Sequence, residues 1–385
     1  MTTPAPALPS DGLFVGRVFL PGVGPAVVRV EGDVLVDVTA VFPTVRDLCE
    51  TADPAGALAR VAGPVVGRLD AVLANTAPDG RDPARPHLLA PIDLQAIKAA
   101  GVTFVVSMLE RVIEERARGD AGAALTIRAR VRELVGDDLR SLRPGSPEAA
   151  ALKETLIREG AWSQYLEVGI GPDPEIFTKA PVLSAVGTMA DVGVHPKSTW
   201  NNPEPEVVLA VNSRGTIVGA TLGNDVNLRD VEGRSALLLG KAKDNNASAA
   251  VGPFLRLFDG GFGLDDVRRL EVGLTVEGVD GFRMSGRSAM AEISRDPADL
   301  VAQAIGPHHR YPDGFVLYLG TMFAPVEDRD EPGRGFTHKT GDVVTISAPP
   351  LGALVNRVVP TDRAEPWDFG IADLMRSLAG RGLLR

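Results

Sequence analysis

From residue 161 to about residue 360 the chain is written as short β-branched runs cut by turn residues, and this pattern limits the possible folds more than any other feature. Val207 to Val211, Thr216 to Leu222, Leu270 to Val276, Gly314 to Leu319, Val343 to Ser347 and Ala353 to Val359 have strand length and strand composition. Asn212-Ser-Arg-Gly215, Glu277-Gly-Val-Asp-Gly281 and Ala348-Pro-Pro-Leu-Gly352 separate them as turns. One helix interrupts the series: Asp296 caps it, Pro297 opens it and Gly306 closes it. The 42 glycines and 30 prolines argue against a helical bundle, because both weaken helix interiors.

The rest of the chain divides into two further segments. Residues 1–90 read as a small β-rich N-terminal domain, with runs at Phe14 to Phe19, Ala26 to Val30 and Val34 to Val38. Ala57 to Leu73 carries a helical pattern that Gly63-Pro64 breaks or kinks. Residues 91–160 read as a helical connecting segment. Met108, Leu109, Val112 and Ile113 space as one apolar helix face, with Glu110, Arg111, Glu114, Glu115 and Arg116 largely on the other. Ser146-Pro147 starts a later helix and Gly160 stops it. Residues 161–385 form the domain of catalytic size. The expected class is therefore α+β, dominated by strands.

Charge and composition exclude several functions. The net charge is −10, and nucleic-acid binding needs a basic stripe that is not visible. The short clusters Arg128 to Arg132 and Arg376 to Arg385 read as solvated faces. No apolar run is long enough to cross a membrane, and the N-terminus lacks signal-peptide features. Cys49 is the single cysteine, which excludes an intramolecular disulfide and a multi-cysteine metal site. A soluble, cytoplasmic protein is expected.

Spacing removes the common catalytic motifs. Gly233 to Lys241 has six residues between its glycines and Ala242 where a phosphate loop needs Ser or Thr. Gly169-Ile-Gly171 runs into Pro-Asp-Pro and cannot open a dinucleotide-binding helix. No nucleophile elbow and no zinc-protease motif is present.

Three clusters carry chemistry. The first is Asn201-Asn-Pro-Glu-Pro-Glu206 and the hairpin after it. Glu204 and Glu206 share one face of an extended chain. A turn centred on Ser213 and Arg214 sets Glu206 opposite Thr221 and Glu204 opposite Gly223, with Asp225 two residues on. Three converging carboxylates need a counter-charge. All-oxygen ligation suits Mg²⁺, with Mn²⁺ or Ca²⁺ as substitutes. Spacing alone also admits solvent-facing glutamates and a turn-capping Asp225. The second cluster, Lys241-Ala-Lys243-Asp-Asn245-Asn-Ala-Ser248, fits a substrate-facing loop or a surface turn. The third, Pro174-Glu175-Ile-Phe-Thr-Lys179-Ala-Pro181, offers an acid/base and an anion contact, or a surface ion pair.

Taken together, these clusters resemble the fumarylacetoacetate hydrolase superfamily over about residues 170–360. The resemblance rests on Phe177-Thr-Lys-Ala-Pro181, the Pro203-Glu-Pro-Glu206 hairpin, Asn224 to Asp230, Lys243 before Gly252-Pro253, Leu319-Gly-Thr321, and Gly341-Asp-Val-Val344 with its return strand. It implies a mixed β-roll catalytic domain with a divalent metal, usually Mg²⁺. Glu204, Glu206 and Asp225 match the family's metal ligands, Lys243 its active-site lysine, and Thr321 and Lys179 substrate contacts. Homodimers or higher homo-oligomers are implied as well.

One departure matters. Hydrolases of the superfamily carry a His-x-x-Glu pair on an upstream lid. In Thr103 to Glu110 the glutamate is present, but Ser107 stands where the histidine is expected, and serine is no general base at neutral pH without help. Within the superfamily, Pro174 to Pro181 and Ala242 to Ser248 are most similar to the 2-keto-3-deoxy-D-arabinonate dehydratase group. That similarity implies Glu175 as acid/base and Lys243 beside it, with Lys179, Thr321, Asn245 and Ser107 near the substrate. The implied reaction dehydrates a 2-keto-3-deoxy pentonate to 2,5-dioxopentanoate. The alternative is hydrolysis of a 2,4-diketo-3-deoxy sugar acid or acylpyruvate, releasing pyruvate.

Overall fold

The computed structural model describes the chain apart from residues 1–7, 119, 121–141, 159, 161, 324, 326, 332–334 and 385, and apart from the side chain of Val106. The Arg128 to Arg132 cluster lies outside the described residues. The expected strand-dominated α+β class is what the chain adopts, and among the described residues its sheets do not close into a barrel.

The larger sheet has 11 strands. From edge to edge it runs Val65–Arg68, Val34–Asp37, Gly24–Glu31, Phe14–Leu20, Ala249–Leu257, Ile217–Asp225, Pro205–Val211, Phe315–Tyr318, Ala96–Gly101 and Glu175–Ala180, and His87–Leu89 pairs alongside Phe14–Leu20. Five strands make the second sheet, in the order Arg283–Ala289, Glu271–Glu277, Val343–Ala348, Gly352–Pro360 and Asp191–Val194. A two-stranded ribbon joins Asn201–Asn202 to Asn227–Leu228. The N-terminal meander continues the large sheet, because Val15 pairs with Leu255.

The main core lies where the sheets face each other. Leu209, Leu222, Phe315 and Leu317 pack with Val272, Leu274, Ile346 and Leu354. On the other face Val208, Val251, Leu255 and Tyr318 pack with Val15, Leu48 and Leu58. Pro205–Val211 and Ala249–Leu257 are buried along their whole length, which explains their continuous apolar runs. A smaller cluster joins helices Val105–Ala117, Pro147–Arg158 and Gln164–Ile170 through Met108, Val112, Leu156 and Leu166. Among the described residues, no helix is long and apolar enough to cross a membrane.

The structure corrects three local expectations. Ala96–Gly101, inside the segment expected to be helical, is a strand parallel to Phe315–Tyr318. Its alanines favour a helix in isolation, but pairing on both sides of an interior strand overrides that preference. Ala57 to Leu73 is not one kinked helix. It divides into the end of helix Pro54–Ala59, strand Val65–Arg68 and helix Leu69–Ala74. Here Gly63 lets the chain pass so close to Asp37 that a Cβ would lie 1.8 Å from its carbonyl oxygen. Pro64 then accepts the Asp37 N–H at 2.9 Å.

The third correction is one of register. Glu206 lies opposite Gly223, not Thr221, and Thr221 lies opposite Val208. The cause is a bulge at Ala210/Val211 beside a turn in which the Asn212 side chain accepts the N–H groups of Arg214 and Thr216, both at 3.0 Å. The shift sets Glu204 across from Asp225, whose N–H reaches the Glu204 carbonyl at 3.1 Å.

Close strand packing at this register depends on Gly223. A Cβ there would lie 2.3 Å from Tyr318 Cε1 and 2.6 Å from Val208 Cγ2. Gly223→Ala is expected to lower stability by about 1–3 kcal/mol in urea unfolding. Gly240→Ala, which meets no atom within 4 Å, is the control and should be neutral or stabilising by up to about 1 kcal/mol.

Candidate active site and metal centre

The hairpin mouth gathers three carboxyl groups. Each of Glu204, Glu206 and Asp225 offers a carboxylate oxygen, these oxygens lie within 4.8 Å of one another, and all three residues are buried. Period-two alternation places Glu204 and Glu206 on one face, and the bulged register brings Asp225 beside them.

Lysines arrive from two directions. Lys243 ends the short helix Leu239–Lys243, and its ammonium lies 2.5 Å from Glu204 Oε2 and 3.1 Å from Asp225 Oδ2. Burial opposes its charge, but Asp225 and Glu204 outweigh burial and hold its pKa above the ordinary value. Lys179 is fully enclosed. Its ammonium lies 2.9 Å from Asp225 Oδ1, donates to the Val226 carbonyl at 3.2 Å and also donates to the Lys243 carbonyl. Burial pulls its pKa down, with Asp225 opposing. Lys179 therefore stands behind Asp225 and braces the turn that carries Lys243.

The carboxyls differ in their partners. Glu204 would be raised by burial, but Arg111 and Lys243 hold it below the ordinary range. Thr321 Oγ1 donates to it at 2.8 Å. Glu206 is met by neutral donors, the Gly320 N–H at 2.7 Å and the Thr321 hydroxyl at 3.4 Å. Burial, then Asp225 and Glu204, push it well above the carboxylate range. Hence the site holds more carboxyl groups than its ammonium and guanidinium groups can ionise. A divalent cation would supply the missing charge, and the buried oxygen-only donor set suits a hard ion such as Mg²⁺.

Glu175 begins strand Glu175–Ala180 and pairs opposite Gly101. Its carboxyl lies over that glycine, where a Cβ would sit 1.9 Å from Oε2. Burial and the charge of Glu232 raise its pKa to about 7, against Lys243 and Arg111.

Two residues named from sequence turn elsewhere. The Asn245 amide donates back to the Lys241 carbonyl at 3.0 Å. Ser107 is buried, and its hydroxyl donates to the Phe104 carbonyl at 2.9 Å within its own helix.

The sequence reading missed a buried ion network. Glu110, Arg111 and Glu114, placed on the polar face of a helix, are buried. Arg111 reaches Glu204, Glu114 at 2.7 Å and Glu232 at 3.2 Å. Arg229 joins Glu114 at 2.6 Å and Glu110 at 3.3 Å, and its guanidinium stacks 4.3 Å from the Trp200 ring. The available signal was the repeated i, i+3 charge pattern in Arg111 to Glu114 and Arg229 to Glu232, which spacing alone cannot tell from surface helix pairs.

The family profile described as Fumarylacetoacetate (FAA) hydrolase C-terminal matches residues 167–359. A Haloferax volcanii protein named "Probable 2-keto-3-deoxyxylonate dehydratase" is 28% identical over 272 residues, covering 71% of this chain and 75% of that protein. A Saccharolobus solfataricus protein named 2-dehydro-3-deoxy-D-arabinonate dehydratase is 29% identical over 185 residues, covering 48% of this chain and 58% of that one. A solved structure of 2-keto-3-deoxy-D-arabinonate dehydratase, complexed with magnesium and 2,5-dioxopentanoate, superposes with a TM-score of 0.59 at 21% identity, over 90% of this chain and 99% of that one. A 5-carboxymethyl-2-hydroxymuconate delta-isomerase from Mycobacterium smegmatis superposes with a TM-score of 0.52 at 19% identity, over 90% of this chain and 98% of that one. Two chemistries thus share this fold, so the fold by itself does not select a reaction.

Burial and the neighbouring carboxylates disfavour the ionised form of Glu206, so metal binding and proton release are linked. Mg²⁺ titrated calorimetrically at neutral pH, in buffers of different ionisation enthalpy, is expected to release protons and to bind more weakly as pH falls. Binding without proton release would show that Glu206 is already ionised.

Proposed function

The chain belongs to the fumarylacetoacetate hydrolase family, and from that premise we propose that it is a Mg²⁺-dependent dehydratase of 2-keto-3-deoxy pentonates such as the arabinonate and xylonate, yielding 2,5-dioxopentanoate. The observation that carries the reading is Glu175, a carboxyl pushed to about 7 in a site that also holds three buried carboxylates suited to a divalent cation. A group titrating near neutrality both takes and returns a proton readily. The names of two relatives support the same substrate class. Hydrolysis is less favoured because the lid lacks a water-activating dyad: Ser107 is bonded within its helix and Glu110 is paired with Arg229.

Glu204, Glu206 and Asp225 would hold the metal, which when bound supplies Lewis-acid polarisation of the substrate's C2 ketone. Glu175 takes a proton from C3, and the C–H electron pair becomes the C2–C3 double bond of an enol. Lys243 donates to the oxygen at C2 as negative charge develops there. Protonated Glu175 then returns its proton to the C4 hydroxyl, which departs as water with the C–O electron pair. As water departs, the C2–C3 pair becomes the C3–C4 double bond and the C2 oxygen returns its proton as the ketone reforms. Loss of a C5 proton and protonation at C3 then move the double bond to C4–C5, and that C5 enol, protonated at C4 as its hydroxyl gives up a proton, becomes the aldehyde of the dicarbonyl product. Thr321 orients an oxygen of the substrate, and Lys179 keeps Asp225 and the Lys243 turn in place.

The direct test is a mass-resolved product assay. With Mg²⁺, a 2-keto-3-deoxy pentonate should lose one water, and a chelator should abolish the loss. Pyruvate release from a 2,4-diketo acid, with no dehydration, would instead establish the hydrolase. Glu175→Gln should keep Mg²⁺ affinity within about 3-fold while turnover falls about 10²- to 10⁴-fold, and near-normal turnover would remove Glu175 from this role. Wild-type kcat/KM should fall as the pH drops below the Glu175 value, because the base is then protonated, and Glu175→Gln should lose that limb. Glu204→Gln should weaken Mg²⁺ binding.

A further inference from the structure

We propose that Arg111 binds the C1 carboxylate of the 2-oxo acid, with its Nη2 donor placed beside Glu204. The identity of the acid rests on the dehydratase reading, while the role of Arg111 rests on the following geometry.

The guanidinium is buried and divided between two tasks. Nη1 is the anchor: it donates to Glu114 at 2.7 Å and lies 3.2 Å from Glu232. Neither partner belongs to the carboxylate trio. Nη2 reaches the other way, to Glu204 Oε1. The anchor is itself held in place, since Glu114 is gripped by Arg229, which donates to the Pro325 carbonyl at 3.2 Å and stacks on Trp200.

Glu204 has donors on both oxygens, Arg111 on Oε1 and Lys243 with Thr321 on Oε2. A cation ligated by Glu204 would compete with these donors for the carboxylate lone pairs. Lys243 also holds Asp225, and Thr321 also holds Glu206. Arg111 holds Glu114 and Glu232 through Nη1, so the guanidinium would stay in place if Nη2 gave up or shared its acceptor. That donor would then stand beside Glu204 to meet an anionic oxygen of a 2-oxo acid brought to the metal. A guanidinium suits that task because it stays charged and its planar fork matches a carboxylate. Being held beforehand, it loses little freedom on binding.

Two unreactive probes test the assignment by calorimetry on Mg²⁺-saturated protein: 2-oxopentanoate and its amide, 2-oxopentanamide. Both present a 2-oxo chelating group, and only the first carries a carboxylate. Wild type should prefer the acid. Arg111→Ala should weaken acid binding about 10- to 100-fold and leave the amide within about 3-fold. Arg111→Gln, close in size and able to fill the same space, serves if the alanine variant does not fold and should give the same loss of preference. Mg²⁺ affinity, measured first, should be unchanged or tighter because a competitor for Glu204 is gone. An acid-to-amide ratio equal to that of wild type, an equal loss for both probes, or no wild-type preference would each overturn the proposal. An Arg111-dependent preference in a protein that dehydrates no 2-keto-3-deoxy acid would sink the dehydratase reading and leave this one standing.

Discussion

Three carboxyl groups cannot share one buried hairpin mouth unless positive charge is brought to them, and much of the chain is arranged to bring it. Desolvation penalises each unpaired carboxylate heavily, and mutual repulsion adds to that penalty. Lys243 comes from a short helix, Lys179 from the edge strand Glu175–Ala180, and Arg111 from the helix that packs over the site. Glu206 alone of the three is left to neutral donors. This imbalance sets the trio, which could hold a metal ion, apart from structural ion pairs that are neutralised completely.

The sheets provide the rigidity such crowding needs. Glu206 and Asp225 sit on adjacent, largely buried strands and Glu204 directly precedes the first of them, so the carboxylates cannot relax apart without breaking a ladder. Glycines allow the closest approaches: Gly223 beneath Tyr318 and Gly101 beneath Glu175. The Glu175 carboxyl is thus seated over the Gly101 backbone of the neighbouring strand, within reach of the charges of Glu232, Lys243 and Arg111. The Arg111–Glu114–Arg229–Glu110 network ties the covering helix to the ribbon Asn201–Asn202 and Asn227–Leu228 through Trp200 and Arg229.

Structures named for other chemistry share this fold, so the division of labour among carboxyls matters more than the fold. Glu175 lies outside the trio and titrates near neutrality, whereas Glu204 is held ionised. One environment favours moving protons and the other favours holding a cation. Environments that push carboxyl pKa values apart are how one site runs both tasks at one pH.

The strand-dominated class and the family resemblance were legible in the sequence, and its local patterns singled out Glu204, Glu206, Asp225, Lys243 and Glu175 as candidates. Local signals carried these: period-two alternation, turn residues, and prolines that hold the glutamate pair extended. The register of the hairpin was not legible, because the turn held by Asn212 and the bulge at Ala210/Val211 together shift the pairing by two residues without leaving a pattern in composition. Ala96–Gly101 was misread for a related reason, since its alanines take their conformation from strands far away in sequence. Folding in three dimensions was needed to show that Glu110, Arg111, Glu114, Arg229 and Glu232 form one buried network, that Lys179 stands behind Asp225, and that Asn245 turns back to the helix before it. Charge patterns on a helix look the same in sequence whether they face water or another charge; burial, which decides their energy, is a property of the whole fold.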